Sequence, residues 1–87
     1  MRTNELLEAL AQAKGGVQVN ISRSGALVST RYTPLVKGRG ANVFAAACAC
    51  AGNLRSRIHS HPGFADYCRD VLKALDAYDR HSRALQL

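Results

Sequence analysis

Cys48, Cys50, His59, His61 and Cys68 fall within a short stretch of this 87-residue chain and could suggest a zinc site or a nucleophile. Zinc takes thiolates and imidazoles in a tetrahedral set. The spacing argues against such a set here. Residues two apart on a helix point to nearly opposite sides, so Cys48 and Cys50 cannot share one ion on a continuous helix. No Cys-x-x-Cys occurs. No local signature places a Cys beside a His and an orienting carboxylate, so nucleophilic catalysis has no visible machinery. The expectation is no enzyme, no metal and no cofactor. The thiols read as small packed side chains. An odd number of cysteines without a secretory leader points to a reducing cytoplasm rather than a disulfide framework.

Anion chemistry has better support. The chain carries 12 Lys+Arg against 6 Asp+Glu, a net charge of +6. The excess is not spread evenly. Residues 9 to 65 contain no acid, and they hold Lys14, Arg23, Arg31, Lys37, Arg39, Arg55 and Arg57. The segment 66–87 balances Asp66, Asp70, Asp76 and Asp79 against Arg69, Lys73, Arg80 and Arg83. An acid-free stretch of that length attracts phosphates or an acidic protein face. Arginine outnumbers lysine, and its planar fork suits bidentate contact with either anion. Lys37-Gly38-Arg39-Gly40 sharpens this reading. Two cations and two glycines stand just before an expected helix, where free N–H groups and the helix dipole favour anions. It is not a Walker A loop, because Gly-x4-Gly-Lys-Ser/Thr is absent. The candidate contact residues are therefore Arg23, Arg31, Lys37, Gly38, Arg39, Gly40, Arg55 and Arg57.

The string His59-Ser60-His61-Pro62-Gly63-Phe64 resembles the zinc-binding motif of JAMM-type deubiquitinating metalloproteases. That family also needs a Ser and an Asp downstream, where this chain has Arg69 and Leu72. It needs an upstream glutamate, and none follows Glu8. The catalytic set is incomplete, and no ligand is carried over.

The elements that must position these residues follow from hydrophobic periodicity. Asn4 to Lys14 predicts a short helix, capped by Thr3 or Asn4, with Leu6, Leu10 and Ala13 on one stripe and Gly15-Gly16 ending it. The period then becomes two. Val17, Val19 and Ile21 alternate with Gln18, Asn20 and Ser22, and a Ser24-Gly25 turn would return the chain through Ala26, Val28, Thr30 and Tyr32. That turn pairs Ile21 with Val28, Val19 with Thr30 and Val17 with Tyr32. Thr33-Pro34 interrupts the second strand, and Leu35 to Lys37 is a candidate third strand. Gly38-Arg39-Gly40 reads as a loop. Ala41 to Ile58 predicts a helix with Phe44, Ala47, Ala51, Leu54 and Ile58 on one face, weakened at Gly52-Asn53. After a turn at Ser60 to Gly63, a final helix carries Phe64, Cys68, Val71, Leu75, Tyr78, Ser82 and Leu85. The expected fold class is α+β: one small domain over 1–87, with an N-terminal helix and an antiparallel hairpin of two or three strands packed against two C-terminal helices. The Phe44 stripe is the natural cover for the sheet.

Among nucleic-acid modules, the helix–strands–helix order resembles a double-stranded-RNA-binding domain. The Lys-rich clamp that opens that family's second helix is replaced here by Ala41-Asn42-Val43-Phe44-Ala45-Ala46. Few aromatics are present for base stacking. A further resemblance covers about residues 17–51. Val19-Asn20-Ile21-x-Arg23-x-Gly25-x-x-Val28, then Arg31, a Gly-bounded loop and the Ala45-Ala46-Ala47 helix, is similar to small phage-encoded ββα proteins such as type I anti-CRISPR inhibitors. The resemblance implies a non-catalytic inhibitor that docks on a host nucleoprotein machine. A basic chain cannot mimic DNA by charge, so its blockade would be steric or allosteric. The expected partner is an acidic protein surface or a nucleoprotein complex, a CRISPR effector among them, in the host cytoplasm. Direct backbone-led contact with DNA or RNA is one alternative, and a homodimer formed along the 64–85 stripe is another. No membrane partner is expected, since the apolar run Val43 to Ala51 is far short of the roughly 20 residues a span needs.

Overall fold

A computed structural model describes residues 2–13, 15–31, 35–66 and 68–86, without the side chains of Arg2 and of 83–86. Expectations that rest on Lys14, Tyr32, Thr33-Pro34, Arg83 and Leu85 lie outside that description. The element order is α1 (Arg2–Leu10), β1 (Val17–Ser22), β2 (Gly25–Thr30), β3 (Lys37–Gly40), α2 (Val43–Ser60), a 3-10 turn (Pro62–Phe64) and α3 (Arg69–Gln86). The strands form one antiparallel sheet in the order β1-β2-β3. This is the α+β architecture that the periodicities imply.

Several boundaries differ, each for a local reason. The first helix starts at Arg2, so Thr3 and Asn4 lie inside it rather than capping it. It stops at Leu10, and two successive turns carry the chain to Gly15 and Gly16, both at positive φ. The hairpin turns at Arg23-Ser24, not Ser24-Gly25, and pairs Ile21 with Ala26, Val19 with Val28 and Val17 with Thr30. Gly25 is needed elsewhere. It opens β2 at φ +139, where a Cβ would come within 2.4 Å of the Gly40 carbonyl oxygen. The register moves by two residues, so each side chain stays on the expected face, whereas a shift of one would have exchanged the faces.

The third strand is Lys37–Gly40, beyond the expected Leu35–Lys37, and the anticipated Gly38-Arg39-Gly40 loop is a paired strand. Asn42 caps α2, its side-chain oxygen accepting from the Ala45 N–H at 2.8 Å. The helix runs through Gly52-Asn53 unbroken, because its side chains on both flanks are packed. Ala46 and Cys50 are buried on one flank, and Ala47, Ala51 and Leu54 on the next. Pro62 opens a 3-10 turn instead of the last helix, and Asp66 therefore precedes α3 rather than lying in it.

The core joins Leu6, Ala9 and Leu10 of α1, Ala26 and Val28 of β2, Val36, the buried face of α2, and Cys68, Val71 and Leu75 around α3. Of the final stripe, Cys68, Val71 and Leu75 are thus spent inside the molecule, and Phe64 and Tyr78 are half-buried against the core. Among the described residues, no helix is long and apolar enough to cross a membrane.

Candidate anion-binding site

The β2–β3 register places Arg39 opposite Leu27 and Lys37 opposite Ser29. The β1–β2 register adds Asn20 beside Leu27 and Gln18 beside Ser29. Directly opposed residues of antiparallel strands point to the same side, so these six side chains share one face. It is the face turned away from α2. The opposite side of β3 consists of Gly38 and Gly40. A Cβ at Gly38 would sit 2.1 Å from the Cys50 nitrogen and 2.4 Å from the Ala46 oxygen. The four residues of Lys37-Gly38-Arg39-Gly40 therefore alternate as a strand must, with glycines against the helix backbone and cations toward solvent.

The open face is polar and basic. Lys37 and Arg39 are exposed, Ser29 between the strands is buried, and Arg31 is exposed in the bend just past β2. Toward the hairpin end, Asn20, Ser22, Ser24, Leu27 and Arg39 line a shallow cavity of about 240 Å³. Ser22 and Ser24 hydroxyls lie 3.0 Å apart there. A guanidinium flanked by an amide and two hydroxyls is suited to a carboxylate or phosphate oxygen. The contribution of Asn20, Ser22 and Ser24 was not among the expected contacts. The period-two alternation already put Asn20 and Ser22 on one face, and only the position of Arg39 beside them was hidden.

The structure does not gather all the expected cations on one plate. Arg23 occupies the hairpin turn. Arg55 and Arg57 belong to α2, behind the sheet. Arg55 donates to Asp79 at 2.7 Å and to Asp76 at 3.3 Å, with its side chain 38% exposed. It ties α2 to α3, and its charge is met locally. Asp76 and Asp79 are thus used across helices, beyond the self-balancing of α3 that the sequence suggests. Arg57 is exposed near the C-terminal end of α2, where a cation suits the helix dipole. Gly38 is buried against the helix and is not presented to a ligand, whereas Gly40, although it too abuts α2, lines the cavity beside Arg39. The expected anion loop at the α2 N-terminus is accordingly corrected to a strand with two outward cations.

Three of the acids lie together elsewhere. Glu5, Glu8, Asp70 and Lys73 line a groove between α1 and α3. The described sheet strands thus carry no acid, whereas Glu5, Glu8, Asp70, Asp76 and Asp79 all lie on helices.

The cysteines divide by environment. Cys50 is fully buried, and desolvation pushes its thiol up to about 11, against a smaller lowering by the Thr30 backbone. Cys68 is buried and its thiol is raised by the same cause. Cys48 is exposed, with its thiol raised by partial desolvation and then by the Asp79 carboxylate. All three are free, and among the described residues no group of three His, Cys, Asp or Glu is placed to hold a metal ion. A thiol reagent such as Ellman's is expected to label Cys48 in the native protein and to reach Cys50 and Cys68 only on unfolding. Rapid native labelling of Cys50 would contradict this packing.

Comparison with known proteins found no matching family model, no matching curated protein and no matching solved structure.

Proposed function

We propose that this chain is a non-enzymatic binding protein of the anti-CRISPR kind. In this reading it is a phage-encoded inhibitor that docks in the host cytoplasm on an acidic protein surface of a nucleic-acid-handling complex. The observation that carries the proposal is the uncovered sheet face. There Lys37 and Arg39 flank Leu27 and the buried Ser29, with Gln18 and Asn20 on the next strand, Arg31 exposed just past β2 and no acid among the described residues of the sheet. A rigid three-stranded platform holds these groups with little ordering cost on binding.

The size of the basic patch favours carboxylates over duplex DNA. Three phosphate contacts would give a salt slope of only about 2.7 log units per decade, against the roughly 6–10 contacts of strong backbone-led binders. A protein face bearing a few Asp or Glu needs no larger set, and paired charges of this kind set on-rate and register.

The test uses purified type I CRISPR effector complexes and the double substitution Lys37→Glu/Arg39→Glu. Both side chains are exposed, so stability should change little. Loss of at least about tenfold in affinity, with an unchanged melting curve, is the expected result. Binding that ignores the charge reversal, or no binding to any complex, overturns the reading. Tight retention of bare DNA or RNA in low-salt gel shifts would instead assign the same face to nucleic acid.

A further inference from the structure

The two edges of the sheet are built differently. At the β3 edge, the Asn53 side-chain amide donates to the Lys37 carbonyl, and Lys37 and Arg39 bring charge to the strand. Charges and side-chain plugs are the usual ways in which an edge is kept from pairing. The β1 edge has neither. Val17-Gln18-Val19-Asn20-Ile21-Ser22 contains no charge and no proline, and it pairs residue for residue with β2 without a bulge.

Its free backbone groups can be located. The Thr30 N–H donates to the Val36 carbonyl at 2.9 Å, so Thr30, Val28 and Ala26 direct their backbone groups toward β3. The intervening residues Ser29 and Leu27 direct theirs toward Gln18 and Asn20 of β1. The backbone N–H and C=O of Val17, Val19 and Ile21 therefore point outward. Their side chains lie on the apolar side of the sheet; Val17 packs partly against the core, while Val19 and Ile21 lie outside the main cover of α2, which rests on β2 and β3. Val19 is 36% exposed and Ile21 75% exposed.

We propose that β1 is a dimerisation edge, at which two copies of this chain pair antiparallel across a two-fold axis through Val19 to give one six-stranded sheet. In this register Val19 faces its own copy and Val17 faces Ile21 of the partner subunit. All three facing pairs are pairs of outward-pointing residues, so about six backbone hydrogen bonds form at once. The apolar side chains of both copies meet on one face, and Gln18 and Asn20 meet on the other. A shift by one residue would set apolar against polar, and a shift by two would lose a pair of hydrogen bonds.

Charge decides for a second copy over a foreign strand. An acidic partner would find no counter-charge on β1, whereas a like molecule meets no like charge there. The cations of the two β3 strands would stand five strand spacings apart, about 24 Å, which is about three Debye lengths at physiological salt. This inference does not depend on the proposed docking function.

Sedimentation equilibrium of the full chain from micromolar to millimolar concentration tests it. A monomer–dimer equilibrium is expected. Val19→Lys places two ammonium groups on the axis and should weaken the dimer at least about tenfold, while Lys37→Ala should leave it unchanged. Val19→Cys in a Cys48→Ser background should oxidise to a reducible dimer, because facing Cα atoms about 5.5 Å apart suit a disulfide. Gln18→Cys in the same background should not. A wild type that stays monomeric throughout, a Val19→Lys chain that dimerises like the wild type, or Gln18→Cys linking as fast as Val19→Cys would each overturn the proposal.

Discussion

Gly38→Ala is expected to lower stability by about 3 kcal/mol or more, a drop in Tm on the order of 12–24 °C for a domain of this size. The added methyl would meet main-chain atoms, at 2.1 Å from the Cys50 nitrogen, 2.4 Å from the Ala46 oxygen and 2.7 Å from the Ala49 carbon. No flexible side chain can swing aside. Either α2 lifts from β3 or the strand bends away from β2, and both moves open the core around Val28, Val36 and Cys50. The interior is close-packed, so a local lift is transmitted to these neighbours. Gly52 supplies the control. It lies exposed on the same helix with open space around its Cβ position, and Gly52→Ala should stabilise by up to about 1 kcal/mol through helix propensity. Thermal melts followed by circular dichroism compare the two. A Gly38→Ala protein that melts within a few degrees of the wild type would show that α2 does not rest on β3 as described.

That prediction bears on what could be read from the sequence. Gly38 and Gly40 carry two different signals in one string. Glycine between cations before a helix is the signature of an anion-binding loop, and it is equally the pattern of a strand that lets a helix backbone approach closely. Local sequence cannot separate these, because the deciding contacts come from Ala46 and Cys50, in the helix that follows. The hairpin faces were legible because a period of two survives a register error of two. The turn position was not, since the need for Gly25 arises from its approach to Gly40 on another strand. The cation set was half legible. Nothing near Arg55 in sequence announces that Asp76 and Asp79 will neutralise it from α3, while the exposure of Lys37 and Arg39 follows from strand alternation once the strand is recognised.

The exposed edge of β1 was hidden for a related reason. Val19 and Ile21 alternate as half-buried residues should, and period alone assigns them to the core. The cover fails because the glycines of β3 draw α2 to one side of the sheet, over β3 and β2. One feature of the third strand thus sets three outcomes: close helix–strand contact, two outward cations, and an uncovered first strand.

Leu54→Ala should be the most damaging truncation on α2, costing about 2–5 kcal/mol. The buried surface of this helix is mostly small: Ala46, Ala47, Cys50 and Ala51. Alanine brings little apolar area to the core, so the single large side chain buried at 0% exposure carries a disproportionate share. Leu54 lies in the same cluster as Leu6 and Leu10 of α1 and Leu75 of α3. Its removal leaves a cavity where the helices meet, and small domains have only about 5–15 kcal/mol to lose. Urea titration should show a midpoint far below that of the wild type, with part of the population unfolded in water. The contrast with the sheet substitutions gives this result its functional weight. Leu54→Ala, which lies away from the basic face, should reduce binding only in proportion to the unfolded fraction. Lys37→Glu/Arg39→Glu should weaken it at least about tenfold with the fold intact. A Leu54→Ala protein as stable as the wild type would mean that the core does not converge on α2, and the rigid platform argued for the basic face would lose its support.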